Sequence, residues 1–264
     1  MLKNILSLPN DDPKKIITVA VALCLVCSLV VSAAAVGLRP LQEANEAAAL
    51  KREILKAAQL YQPGVDVDAE FDKLEAHVVD LASGDFVDSI NATEFDARAA
   101  ADDPDQNRVL SGDEDIAKIR SIAQRMPVYL LRDADQQVQS VILPVHGYGL
   151  WSTMYGLVAL GPDGNTVKQV TFYEQRETAG LGGEVANPKW QKQWVGKKIY
   201  GESGEPKFQL MKGGVVPGSP NEQHHVDGLS GATLTSNGVT NMVRFWMGDL
   251  GYGPFLKRLR EGGV

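Results

Sequence analysis

The chain begins with one long apolar stretch and continues as short segments in which apolar and polar positions alternate. Residues 16–38 are 23 consecutive positions without a charge, and most of them are apolar. As a helix they would extend roughly 34 Å, enough to cross a hydrocarbon core of about 30 Å. A cleaved signal peptide is the alternative, since Ala33-Ala34-Ala35 resembles a cleavage site. The apolar part of such peptides usually spans only about 7–15 residues, so the length favours a retained transmembrane helix.

Basic residues near this stretch predict its orientation. Only Arg39 follows it closely, whereas three lysines precede it: Lys3, Lys14 and Lys15. The positive-inside rule therefore places residues 1–15 in the cytoplasm and the bulk of the chain on the far side of the membrane. In a bacterium this predicts a single-pass protein of the inner membrane with a periplasmic domain. No charge lies within residues 16–38, so this segment offers no ion pathway.

Apolar residues recur at helical spacing directly after the predicted span. Leu50, Ile54, Ala58 and Tyr61 lie three or four positions apart. The segment Gln-Pro-Gly at 62–64 carries the signals of a helix end. We therefore expect a juxtamembrane helix over residues 39–62 and a periplasmic domain over residues 63–264.

The remaining pattern predicts a domain of the α+β class with mainly antiparallel pairing. The predicted strands are 78–81, 128–131, 138–143, 155–160, 166–173 and 208–211. A short helix is expected within 187–195. A longer one is expected from about residue 236, where apolar residues recur at Val239, Met242, Val243 and Trp246. Successive strands with few helices between them favour this class, and the chain has neither an internal repeat nor a dinucleotide-binding βαβ pattern.

The charge of the predicted domain and the positions of the cysteines argue against nucleic-acid binding, anionic-lipid binding and thiol redox chemistry. Residues 39–264 carry 23 basic and 31 acidic side chains, a net charge of −8. Such a domain is a poor partner for nucleic acid or anionic lipid. Cys24 and Cys27 are the chain's two cysteines, and both lie within the predicted span. Hydrocarbon disfavours the thiolate, so we interpret them as helix-packing residues, and the exported domain must fold without a disulfide.

Two weak metal motifs occur. Asp103, Asp105, Asn107 and Glu114 follow the spacing of a calcium loop, but the sixth position is arginine where the turn requires glycine. A solvated connection is the favoured interpretation of residues 91–117. The pair His224-His225 would project to opposite faces of a strand, and no cysteine or third histidine lies near it in sequence, so a shared metal is not expected.

Three glycine-containing loops are the candidates for chemistry. Residues 147–151, Gly-Tyr-Gly-Leu-Trp, lack the features of a dinucleotide fingerprint and equally suit a turn with a packed Trp. Residues 177–183, Glu-Thr-Ala-Gly-Leu-Gly-Gly, would let the backbone approach a planar ligand, or form a flexible loop. Residues 227–233, Asp-Gly-Leu-Ser-Gly-Ala-Thr, precede a predicted helix, where they could cap its N–H groups or seat a phosphate.

The third loop resembles the flavinylation motif of FMN-binding domains in bacterial respiratory complexes. The similarity extends through 177–182, Trp-Met-Gly-Asp at 246–249 and Gly-Pro-Phe-Leu at 253–256. With the N-terminal anchor, the chain resembles the C subunits of sodium-translocating NADH:quinone reductases. Ala179 departs from the family, which usually has proline there, so this loop is expected to be less rigid.

The resemblance implies that Thr233 carries FMN through a phosphodiester bond made from FAD by a magnesium-dependent flavin transferase. It implies no catalytic or metal-ligating residues in this chain. An unactivated threonine hydroxyl is a weak nucleophile, which fits the need for an external enzyme. Lys212 could stabilise reduced flavin by its charge, or be a solvated surface lysine. The candidate cofactor-binding residues are Leu150, Trp151, Glu177, Thr178, Gly180, Leu181, Gly182, Lys212, Asp227, Ser230, Gly231, Ala232 and Thr233.

The implied function is electron relay within a six-subunit complex of the inner membrane. By resemblance, electrons run from NADH through FAD and iron–sulfur centres to this FMN, a second covalent FMN, riboflavin and ubiquinone. Two alternatives stay open. One is the flavin subunit of the related Rnf electron-transport complex. The other is a flavin-free, membrane-anchored binding or assembly protein.

Overall fold

The computed structural model describes residues 9–264, which divide into two compact units, one up to Ala49 and one from Leu50 to Val264. The helices are α1 (Pro13–Ala57), α2 (Val67–Phe71), α3 (Ala97–Asp102), α4 (Pro188–Gln191), α5 (Thr233–Trp246) and α6 (Gly253–Arg260). The strands are β1 (Leu74–Asp80), β2 (Asn107–Val109), β3 (Ser121–Ala123), β4 (Arg125–Arg132), β5 (Val138–Tyr148), β6 (Thr153–Leu160), β7 (Val167–Glu174), β8 (Gln209–Met211) and β9 (His225–Asp227). Short 3₁₀ helices lie at Gly182–Ala186, Lys192–Trp194 and Glu222–His224.

Helix α1 contains the predicted membrane span. It has 45 residues, and an 18-residue window within it reaches a mean hydropathy of 2.8, so its length and composition suffice to cross a membrane. The helices predicted at 16–38 and 39–62 are continuous, and Pro40 lies inside α1. The helix ends at Ala57, before the predicted stop, because Gln59 adopts a left-handed φ of 61° and the Leu60 N–H turns back to the Leu55 carbonyl. Lys3, part of the orientation argument, lies outside the described residues.

A five-stranded antiparallel sheet forms the centre of the second unit and confirms the predicted α+β class. Its strand order is β1-β4-β5-β6-β7. The register pairs His146 with Tyr155 and Tyr148 with Thr153 across β5 and β6. Strands β8 and β9 form a separate parallel pair. The predicted strands therefore occur close to their expected positions, and β5 continues to Tyr148 beyond the predicted end at 143.

Helices cover both faces of this sheet. Helix α5 packs on one face, where Val239, Met242 and Val243 are fully buried and the Trp246 Nε1–H donates to the His146 carbonyl at 2.6 Å. The last turns of α1 contribute to a second hydrophobic cluster, in which Ile54 and Leu55 are buried with residues of β4, β5 and β6. This packing explains why the compact unit begins at Leu50, whereas the sequence placed the domain start at residue 63.

Residues 91–117 contain more regular structure than the connection expected there. Helix α3 and strand β2 lie within them. Two carboxylates of the calcium spacing, those of Asp103 and Glu114, have protein partners. Asp103 accepts from the Gln106 side chain and the Asp105 N–H, and Glu114 forms an ion pair with Arg108 at 2.7 Å. The described part of the chain holds no group of three or more His, Cys, Asp or Glu side chains that could bind a metal.

Candidate functional site

The three glycine-containing loops meet at the N-terminus of α5, and the Glu177 carboxylate joins them. It accepts hydrogen bonds from the Trp151 N–H at 2.9 Å and from the Leu150 N–H at 3.1 Å to each oxygen. It also accepts from the Thr235 hydroxyl, in the first turn of α5, at 2.6 Å. Glu177 itself is 7% exposed. One buried carboxylate therefore connects residues 147–151, residues 177–183 and the start of α5.

Glycines allow this close approach. A Cβ atom on Gly149 would lie 2.6 Å from Glu177 Oε1, and one on Gly182 would lie 2.6 Å from Thr235 Oγ1. A Cβ on Gly238 would overlap the Tyr148 carbonyl oxygen. Larger residues at these positions would separate the loops from the helix, so the glycines are needed for packing here rather than for loop flexibility.

Thr233 is the first residue of α5, and its side chain is exposed. The helix was predicted from residue 236, three positions later. Ala232 is the N-cap, and within residues 9–264 no side chain provides the N-cap hydrogen bond. The Ser236 hydroxyl, in the same first turn, accepts from the Leu229 N–H at 2.9 Å. Free N–H groups and the positive end of the helix dipole favour an anion beside Thr233.

Exposed apolar side chains surround this helix end. The exposed fractions are 64% for Trp151, 43% for Leu181 and 59% for Leu234. The Trp151 Nε1–H donates to the Thr178 hydroxyl at 3.1 Å, which links two of the loops. Leu181 reaches the third loop, because a Cβ on Gly231 would lie 3.0 Å from its Cδ2 atom. Apolar surface beside an anion-binding helix terminus suits a ligand with a phosphate and a flat ring.

Comparisons with known proteins agree with this geometry. A family model described as FMN-binding domain matches residues 149–248, which contain the second and third loops, most of the first, and all of α5. The fold matches the crystal structure of Shewanella oneidensis NqrC with a TM-score of 0.74 and 35% sequence identity, covering 83% of this chain and 99% of that one.

Full-length relatives decide the family. The chain is 50% identical over 256 residues to the C subunit of the Na(+)-translocating NADH-quinone reductase of Vibrio vulnificus strain YJ016, covering 97% of this chain and 98% of the relative. It is 45% identical over 259 residues to the protein of the same name from Yersinia pestis, covering 97% and 96%. The chain belongs to the family of C subunits of Na(+)-translocating NADH-quinone reductases. It is thus part of an oxidoreductase complex, and this family is favoured over the Rnf alternative.

The residues around the helix end fit an FMN, the cofactor that the family implies. The helix end without a side-chain cap offers N–H groups to the phosphate, and the exposed Leu150 and Trp151 side chains offer a surface to the ring. Among the predicted contacts, Thr178, Gly180, Ser230 and Gly231 are exposed at the same loops, whereas Gly182 and Ala232 are buried. Their contact with the cofactor stays a prediction.

Three predicted site residues have other partners or positions in the structure. The Glu177 carboxylate already accepts hydrogen bonds from the Trp151 N–H and the Thr235 hydroxyl. It therefore holds the loops against α5. Asp227 Oδ1 accepts from the Val215 N–H at 2.7 Å, and the Asp227 carbonyl accepts from Trp190 Nε1–H at 2.8 Å. Lys212 is exposed at the end of β8, whose pairing with β9 brings it beside the third loop.

His224 and His225, the two adjacent histidines, lie where the chain enters β9. His224 is buried, and its Nδ1 donates to the Lys198 carbonyl at 2.8 Å. Partial burial lowers the pKa of His225, and the neighbouring His224, Lys197 and Arg244 contribute less. His224 ends a 3₁₀ helix and His225 begins the strand, so the two lie in different elements.

Sequence reasoning missed Thr235 and Gly238 in this site. Both lie at the start of α5, where the apolar periodicity is weak. One signal in the sequence was Glu177, an acidic residue within a glycine-rich loop. If such a carboxylate is buried, it must accept hydrogen bonds from nearby donors. The sequence does not reveal which hydroxyl supplies one across 58 residues.

Proposed function

We propose that this chain is the electron-relay component of a sodium-pumping NADH:ubiquinone oxidoreductase and carries FMN covalently on Thr233. The observation that carries the proposal is an exposed threonine hydroxyl at the first position of a helix without a side-chain cap, surrounded by exposed apolar side chains. The FMN-binding family model over residues 149–248 supports the choice of cofactor.

The attachment requires a single bond exchange. Thr233 Oγ1 would form a bond to the phosphorus of the FMN half of FAD, AMP would leave, and the hydroxyl proton would pass to the flavin transferase. The resulting phosphodiester keeps one negative charge, which the N–H groups of the first turn of α5 stabilise. Among the nearby hydroxyl-bearing residues, Thr235 donates to Glu177 and Ser236 accepts from Leu229, whereas Thr233 lies exposed.

The chain's residues then hold the ring and tune its surroundings. Leu150, Trp151 and Leu181 provide apolar contacts, and Thr178 fixes the Trp151 indole through its hydrogen bond. Lys212 supplies a positive charge beside the third loop. Bound FMN supplies the redox chemistry, and covalent attachment prevents its loss on the periplasmic side.

We further propose the placement and partners of the chain. Helix α1 anchors it in the bacterial inner membrane, with residues 1–15 in the cytoplasm and residues 63–264 in the periplasm. Its partners are the other members of a six-subunit complex and, during maturation, the flavin transferase. The sodium path lies elsewhere in the complex, because residues 16–38 carry no charge.

Flavin fluorescence of the denatured protein tests the attachment. The full chain, its Thr233→Ala variant and its Ser230→Ala variant are each produced together with the transferase and separated on a denaturing gel. Fluorescent bands are expected for the wild type and for Ser230→Ala, since Ser230 is an exposed hydroxyl in the same loop, and none for Thr233→Ala.

Each contrary result has a distinct meaning. Fluorescence in all three proteins would show a covalent flavin at another residue. Fluorescence in none would contradict the flavin carrier and favour the flavin-free assembly protein. Loss in both variants would indicate that the loop, rather than the Thr233 hydroxyl, is what the transferase needs.

A further inference from the structure

A cavity of about 550 Å³ lies against β5 and β6, on the face opposite helix α5. Alternation along the strands turns His146, Tyr148, Thr153 and Tyr155 to one side. Gly147 faces α5, because a Cβ there would lie 2.7 Å from the Met242 Cβ. The volume lies within the range of small-molecule sites. The residues that line the cavity include His146, Tyr148, Tyr155, Arg98, Lys118 and Arg120.

The cavity wall carries an excess of positive charge in a domain whose net charge is negative. Among residues 9–264, neither Lys118 nor Arg120 has an ion-pair partner, whereas Arg98 pairs with Glu174 at 2.7 Å. Asp115 also lines the cavity, but its two oxygens accept the N–H groups of residues 119 and 120 at 2.8 and 2.9 Å. Three basic side chains and two carboxylates, those of Asp102 and Asp115, therefore line the cavity.

The backbone that presents these cations is strained. Lys118 has φ 55° and Arg120 has φ 67°, a region that residues with side chains seldom adopt. The Asp115 hydrogen bonds hold this turn in place. Such strain persists only where the surroundings enforce it, and it often accompanies a binding site.

Aromatic rings and a neutral imidazole form the floor. The His146 ring stacks on Tyr155 with centroids 5.5 Å apart and lies 4.8 Å from the Trp246 ring. Desolvation, with a smaller contribution from Arg98, lowers the pKa of His146 to about 4, so the ring is neutral at pH 7. Within the described residues its ring nitrogens have no hydrogen-bond partner, which leaves them available to a ligand.

We propose that this cavity binds a small organic carboxylate with a flat ring. Lys118 and Arg120 would hold the carboxylate, since charge-assisted hydrogen bonds to these side chains suit such a group. The Tyr148 ring would contact the flat part, since the Arg98 guanidinium already covers the Tyr155 ring at 3.6 Å from its centroid. A His146 nitrogen would form a hydrogen bond with the ligand.

Tyr148 connects this cavity to the proposed flavin site, and this step alone rests on the proposed function. Its N–H donates to the Ala117 carbonyl at 2.8 Å, in the turn that leads to Lys118. Its carbonyl contacts Gly238 of α5, and its hydroxyl lies 3.4 Å from the Trp151 carbonyl. A ligand against Tyr148 would therefore change the environment of Trp151.

Histidine NMR tests the binding without relying on the flavin. The full chain in detergent micelles, labelled with ¹⁵N in its four histidines, is titrated with benzoate, and the His146 signal is assigned with His146→Gln. Benzyl alcohol serves as the uncharged probe of the same shape. Benzoate is expected to shift the His146 signal saturably, and benzyl alcohol to bind at least tenfold more weakly.

Variants of the cations complete the test. Lys118→Gln combined with Arg120→Gln is expected to weaken benzoate binding at least tenfold, since the double variant removes both charge-assisted hydrogen bonds to the carboxylate. Lys192→Gln, an exposed lysine outside the cavity, is expected to leave binding unchanged. An unshifted His146 signal at millimolar benzoate would overturn the proposal. Equal binding of benzyl alcohol, or unchanged benzoate binding in the double variant, would overturn it as well.

Discussion

Replacing Glu177 by alanine should destabilise the domain by about 3–5 kcal/mol. The substitution removes the acceptor of three donors, the N–H groups of Leu150 and Trp151 and the Thr235 hydroxyl. Hydrogen bonds to a charged group contribute about 1.5–3 kcal/mol each. Water can reach the two loop N–H groups in the variant, whereas Thr235 is 1% exposed, so the total falls below the simple sum.

Urea unfolding of the full chain in detergent, followed by tryptophan fluorescence, measures this effect. With a slope of about 2 kcal/mol per molar urea, the midpoint should fall by roughly 2 M. Glu177→Gln keeps the size of the side chain but turns one acceptor into a donor, so we expect a loss of about 2 kcal/mol. Thr235→Val removes one donor and should cost about 1–2 kcal/mol.

Glu174 provides the matched control. It is a glutamate three positions away whose ion pair with Arg98 is partly exposed, and such pairs contribute at most about 1 kcal/mol. Glu174→Ala should therefore be nearly neutral. If Glu177→Ala destabilised the protein no more than Glu174→Ala, the assignment of Glu177 as the connection between the loops and α5 would be wrong.

Three further predictions concern the packing around this region. Gly238→Ala should cost about 1–3 kcal/mol, because the new Cβ would overlap the Tyr148 carbonyl, and a stable variant in urea unfolding would contradict that contact. Tyr252→Phe removes a buried hydroxyl that donates to the Pro144 carbonyl at 2.8 Å, so thermal unfolding should show a loss of about 1 kcal/mol. The pKa of His146 is lowered to about 4, so between pH 7 and pH 5 the unfolded state binds the proton and the folded state does not. The titration of His146 should therefore lower the free energy of unfolding by about 2 kcal/mol between pH 7 and pH 5. Urea unfolding at the two pH values should show this loss for the wild type and not for His146→Gln.

The central strands could be predicted because each is a short segment rich in apolar residues between turn signals. Residues 138–143 and 155–160 are such segments, and both lie in the sheet. The extension of β5 to Tyr148 was missed because Pro144 and Gly147 interrupt the pattern. Gly147 is needed there for the close approach of Met242, a requirement that only the packed structure reveals.

The start of α5 escaped prediction for a different reason. Its first turn contains Thr233, Leu234 and Thr235, in which the leucine is exposed and the second threonine is buried. This reverses the usual relation between polarity and burial, so the hydrophobic periodicity begins only later. The sequence could show Thr233 through the motif around it, but not the hydrogen bond between Thr235 and Glu177.

The burial of Ile54 and Leu55 affects how the domain could be studied apart from its membrane segment. These residues cover Ile142 and Leu157, which have no exposed area in the complete chain. A fragment beginning after Ala57 would present this apolar face of the sheet to water, and such a face promotes aggregation. A soluble fragment should therefore begin close to Leu50, after the apolar span, so that the final turns of the anchor helix remain with the sheet they cover.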